Sequence, residues 1–144
     1  QEELDEAPMM HEVLPEFEHW ILETLGHKPS GMDGRSKGQA LRSALICGQS
    51  VINDINFLKF AYRDQKLKWP FSNTLVDLHT LSHFLFPILE RHGMEPPQRR
   101  SLGHIARFFG YTREGEHHNA LEDAELTGLC LRGVFKYAER LQLP

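Results

Sequence analysis

The chain is poor in cysteine, in net positive charge and in long apolar runs, and each shortage excludes something. Only Cys47 and Cys130 occur in 144 residues, too few for the disulfide framework that staples small secreted domains. Both are expected as buried thiols in a reducing compartment, and the protein as cytoplasmic. Lys and Arg number 16 against 20 Asp and Glu, for a formal net charge of −4. That balance argues against a basic surface gripping nucleic acid nonspecifically through phosphates. It leaves metal-assisted phosphate chemistry open, because bound cations can supply the positive charge locally. No run approaches the roughly 20 apolar residues of a membrane span and no signal-peptide pattern opens the chain, so no membrane partner is expected.

What is present reads as an ordinary globular composition, 40% hydrophobic and 25% charged. At this length one domain over residues 1–144 is expected, with enough buried surface for a real core. Asp5 can cap a first helix and Pro8 fits its first turn. Met9, Met10, Val13, Leu14, Phe17, Ile21, Leu22 and Leu25 then recur on one helical face, with Pro15 expected to kink or divide it. Residues 27–39 hold Gly31, Gly34 and Gly38 without apolar periodicity, and are expected as a flexible loop.

Residues 44–47 form a short apolar run, expected as a strand buried on both faces. Asn53 or Asp54 caps the next helix, whose inner positions are Ile55, Leu58 and Tyr62, with Phe57 and Ala61 as further candidates. Leu75 and Val76 make a second short strand ending at Asp77, itself expected as a helix cap. Helices follow over 78–92, 101–109 and 119–141. Strand alternating with helix is an α/β signature.

Two carboxylates and an imidazole stand out. His118-Asn119-Ala120-Leu121-Glu122-Asp123 sets a histidine five residues ahead of an acid that opens a long helix. Asp54 lies where the apolar run Val51-Ile52 gives way to an amphipathic stretch. Singly, Asp54 reads as a helix cap, Asp123 as a first-turn acid and His118 as a surface histidine. Together they suit divalent-metal phosphodiester hydrolysis, since carboxylate oxygen is the preferred donor for hard cations. His79 and His83, four apart on a helix, suit a metal pair, with no third ligand evident. Lys59, Arg63, Lys66 and Lys68 read as a solvated face or as a path for a phosphate backbone.

The spacing His118-x-Ala120-x-x-Asp123 resembles the third motif of the DEDDh 3′-to-5′ exonucleases, a ribonuclease H-like group that includes proofreading subunits. The segment Leu45-Ile46-Cys47-Gly48-Gln49-Ser50-Val51-Ile52-Asn53-Asp54-Ile55-Asn56-Phe57-Leu58 resembles their second motif, an apolar strand followed by Asp-x-x-Phe-Leu. Residues 74–81 are similar to the short strand and helix between the two motifs, and residues 100–106 to the following helix start. Leu4-Asp5-Glu6-Ala7-Pro8 and Val13-Leu14-Pro15-Glu16-Phe17 resemble the family's first helix. Its first motif, Asp-x-Glu-Thr, has no counterpart ahead of Leu4.

This resemblance implies a ribonuclease H-like α/β fold lacking the N-terminal strands of its mixed sheet. The chain opens on Gln1 and is expected to be N-terminally incomplete, completed by a preceding segment or a partner chain, and nearly inactive alone. The implied cofactors are two Mg²⁺ or Mn²⁺ ions. Asp123 would hold the metal that binds the attacking water, and Asp54 the second metal. His118 would be the general base, with Phe57 and Leu58 against the terminal nucleotide of a single-stranded DNA or RNA 3′ end. Gly48-Gln49-Ser50 departs from the residues many relatives carry ahead of the second-motif aspartate. The alternative is a nuclease-like remnant serving as a catalytically inactive binding or scaffold module.

Overall fold

The computed structural model describes residues 7–112 and 119–141. They are helix-rich and broadly α/β, with one small parallel sheet of two strands, β1 (Ile46–Gly48) and β2 (Leu75–Asp77). The chain sorts into two compact units. One comprises the chain up to Ile46 and Ile52–Leu75, the other Cys47–Val51 and the chain from Val76 onward. Each has its own apolar core.

The first unit contains α1 (Met10–Thr24), a 3-10 turn (Pro29–Gly31), α2 (Gly34–Ser43) and α3 (Ile52–Asp64). Its core joins Leu14 and Leu22 of α1, Ala40 and Leu41 of α2, Ala61 and Tyr62 of α3, and Phe71. Tyr62, Trp69 and Phe71 meet edge to face at centroid distances of 5.1–6.1 Å, the arrangement favoured by the ring quadrupole. The buried Tyr62 hydroxyl donates to Glu18 Oε1 at 2.9 Å.

One expectation is corrected here and another in part. Asp5 lies outside the described residues, and α1 is not divided at Pro15 but continues from Met10 to Thr24. Leu14 before the proline and Leu22 beyond it are both buried, so packing on either side outweighs the one backbone bond that proline removes. Residues 27–39 are not a loop, for a 3-10 turn and most of α2 occupy them. Asp33 caps α2 by accepting from Ser36 N–H at 2.7 Å, which also draws its carboxyl below the ordinary range. That cap and the buried anchors Ala40 and Leu41 offset the roughly 1 kcal/mol that each helical glycine costs.

The second unit contains α4 (Leu78–Arg91), α5 (Leu102–Phe108) and α6 (Ala120–Arg140), with α6 packed on both α4 and α5. Leu126, Cys130, Leu131 and Val134 recur along one face of α6 and bury against Leu78, Leu85, Phe86 and Leu89 of α4 and Leu102, Ile105 and Ala106 of α5. Gly133 faces this core, where an added Cβ would stand 2.7 Å from the Phe109 ring. Cys130 is buried as expected, and burial pushes its thiol up to about 11. Cys47 is exposed, a correction. The strand expected to be buried on both faces is therefore not, for Cys47 is exposed between the half-buried Ile46 and Gly48. Among the described residues no helix is long and apolar enough to cross a membrane.

Candidate functional site

Asp123 stands in the first turn of α6. The helix starts where it does because Asn119 accepts from Leu121 N–H at 2.9 Å, and the Asn119 carbonyl takes the Asp123 N–H at 2.9 Å. One turn on, Thr127 is buried and its hydroxyl donates to the Asp123 carbonyl at 2.7 Å. The acid is therefore half-buried on a helix start locked by its cap, and belongs to the second unit. His118 lies outside the described residues.

Asp54 belongs to the first unit, exposed in the first turn of α3. Its neighbour Ile55 is buried. The inner positions of α3 run Ile55, Leu58, Ala61 and Tyr62, with Leu58 half-buried. Phe57, named above as a core candidate, is 78% exposed. Two residues past Ile55, it is rotated about 200° to the opposite side of the helix. An exposed phenylalanine beside a half-buried leucine leaves both able to meet a ligand. Among the described residues no group of three or more His, Cys, Asp or Glu side chains is placed to hold a metal ion.

Asp77 is the helix cap it was expected to be, and more. Its carboxylate accepts from Thr80 N–H at 3.1 Å and from the Thr80 hydroxyl at 2.7 Å. It also takes the Val51 N–H at 3.3 Å, tying the turn after β1 to the end of β2. Burial pushes its carboxyl up, but the bonds from Thr80, Val51 and Ser50 outweigh it and hold the group below the ordinary range.

Sequence spacing could not anticipate how Gln49, His79, His83 and Arg100 of the second unit are joined. Gln49 Nε2 donates to the Arg100 carbonyl at 2.8 Å, and His79 Nδ1 lies 3.3 Å from the same oxygen. His83 Nε2 is 3.2 Å from His79 Nε2. Desolvation, the Arg100 charge and His79 lower the His83 pKa. Elsewhere in this unit an open hollow of about 260 Å³ is lined by Gly103, Ala106, Arg107, Tyr111, Thr112 and Leu126, the last one turn beyond Asp123.

Comparison of the chain with protein-family models, curated proteins and solved structures finds no match.

Proposed function

We propose that the protein is a metal-dependent 3′-to-5′ exonuclease of the DEDDh type, releasing nucleoside monophosphates from single-stranded DNA or RNA ends. In this reading its α/β framework is a ribonuclease H-like fold. The observation that carries the reading is the start of α6. Asp123 is held in a first turn capped by Asn119, and His118 is the residue next before that cap. A metal-ligating acid needs a fixed position, and the order of base, cap and acid along the sequence is the one the reading requires.

The carboxylate donors Asp54 and Asp123 fit Mg²⁺ or Mn²⁺, hard cations that prefer oxygen. When bound, such ions supply an activated water and charge stabilisation at the scissile phosphate. His118 takes a proton from the attacking water, a task suited to an imidazole with an ordinary pKa of about 6.5. Phe57 and Leu58 pack against the terminal nucleotide and hold it for attack.

The test uses the full-length polypeptide with 5′-labelled single-stranded DNA and RNA and either cation. Wild type shortens the label stepwise, and His118→Ala lowers turnover about 10²–10⁴-fold. Asp123→Asn does so comparably, both variants keeping the wild-type circular dichroism spectrum. Normal turnover in either variant, or 3′-end binding without any release of monophosphates by wild type, overturns the proposal.

A further inference from the structure

A pair of strong metal-ligating groups that the exonuclease reading leaves unused lies in the first turns of α4. His79 and His83 share a helix face. Their Nε2 atoms are 3.2 Å apart, with ring centroids at 4.9 Å and planes at 62°. Spacing alone would leave the rings free to turn elsewhere. His79 is not free, because its Nδ1 faces the Arg100 carbonyl at 3.3 Å. A carbonyl oxygen only accepts, so Nδ1 carries the proton and Nε2 of the neutral ring keeps its lone pair. Metal-ligating histidines are commonly oriented by this kind of bond from the far ring nitrogen. Gln49 Nε2, donating to the same carbonyl at 2.8 Å, holds the acceptor in place.

We propose that His79 and His83 chelate a borderline transition-metal cation of the Zn²⁺, Ni²⁺ or Cu²⁺ class through their two Nε2 atoms. A metal bonded at about 2.05 Å to nitrogens 3.2 Å apart subtends an N–metal–N angle of about 100°, close to tetrahedral. Imidazole suits these ions, whereas Mg²⁺ and Mn²⁺ prefer oxygen, so the site does not compete for the ions of the exonuclease reading. His83 is exposed and His79 half-buried, which leaves the pair open to an ion from solvent. No group of three ligating side chains exists among the described residues. With two imidazoles supplied from the described residues, a tetrahedral ion has two further positions that water or an exogenous ligand can take.

Without metal, a proton on His83 Nε2 donates to His79 Nε2 across the same gap. On binding, that proton passes through solvent to His83 Nδ1, and the metal takes its place. Arg100 is a cation whose charge is felt at His83, its guanidinium carbon lying 5.8 Å from the centre of the Phe86 ring.

The chain has nine histidines, so the test must resolve individual rings. Zn²⁺ is titrated into ¹⁵N-labelled protein at neutral pH while long-range proton–nitrogen imidazole spectra are recorded. Nε2 of His79 and of His83 are expected to shift together and saturate at one equivalent. His83→Ala, an exposed change that leaves the circular dichroism unaltered, should weaken binding at His79 roughly tenfold or more as the chelate is lost. Movement of only one ring, of neither, or unchanged Zn²⁺ affinity at His79 in His83→Ala overturns the proposal.

Discussion

Gly133→Ala sets two effects against each other at one position of α6. Alanine is the better helix former by about 0.5–1 kcal/mol. Its Cβ, however, would stand 2.7, 2.9 and 3.0 Å from Cδ1, Cγ and Cε1 of Phe109. These atoms belong to the body of a ring that packs on Phe108 at 5.2 Å and Tyr137 at 5.9 Å, so it cannot swing clear as a long flexible side chain would. Overpacking a filled core costs about 1–3 kcal/mol, and the net change is a loss of up to about 2 kcal/mol. Gly128, on the same helix, is exposed with nothing within 4 Å of an added Cβ, so Gly128→Ala should stabilise by about 0.5–1 kcal/mol. Urea unfolding followed by circular dichroism reads both variants, and the gap between them is the quantity of interest. In a double-mutant cycle, Phe109→Leu should recover about 1 kcal/mol of the Gly133→Ala loss, the coupling expected of residues in contact. Equal stabilisation by the two alanines would refute the close approach of Phe109 to α6.

Three further outcomes follow from named contacts. The Asp77 carboxyl is held below its ordinary 3.8, so its stabilisation is present above that value and is lost as pH falls through the lower folded one. The advantage of wild type over Asp77→Asn in urea unfolding should shrink below about pH 4, and an advantage that stays constant there refutes the hydrogen-bonded carboxylate. Tyr62→Phe removes the 2.9 Å bond to Glu18 and should cost about 1 kcal/mol. Burial, then Glu18, raises the Tyr62 pKa, so wild type loses stability from about pH 10 upward in a way the phenylalanine variant does not, and parallel pH profiles refute it. Phe57→Ala, at a 78% exposed position, should change stability by less than about 0.5 kcal/mol, and under the proposed exonuclease reading it should raise KM for a 3′ end. An unaltered KM in the full-length polypeptide would remove Phe57 from the substrate contact.

Sequence reading located the second unit better than the first, and the reason is capping. Asp77, Ser101 and Asn119 each precede a helix within one residue of where it was expected to start, and polar caps followed by a regular apolar face are local signals. In the first unit the signals conflict. Glycines at 34 and 38 read as breakers, while the features that make α2 a helix are one cap at Asp33 and two residues that reach the core. Burial of Ala40 and Leu41 is a tertiary fact, so their weight against glycine is invisible in a local window. Phe57 failed differently. Hydrophobicity alone placed it among the core candidates, but its angular position on α3 sends it away from Ile55. Of the candidate site, the helical settings of Asp54 and Asp123 were legible. The ring geometry of His79 and His83 was not, because it depends on a carbonyl 21 residues away.

The departure from the exonuclease pattern at Gly48-Gln49-Ser50 also has a physical occupation. A Cβ on Gly48 would meet Val51 Cγ2 at 2.7 Å, and Ser50 adopts φ 54°, a conformation that costs a non-glycine residue about 1–2 kcal/mol. That strain is offset by what the turn delivers, the Val51 N–H to Asp77 and the Gln49 amide to the Arg100 carbonyl. The Gln49 N–H donor committed to a backbone carbonyl 51 residues away is not available to a nucleotide. If the exonuclease reading holds, contact with the terminal nucleotide must come from groups with no such duty, and on α3 the exposed ring of Phe57 is one. The same bond binds Gln49 to the carbonyl that orients His79, so the residues that set this chain apart from the exonuclease pattern are also the ones that support its imidazole pair.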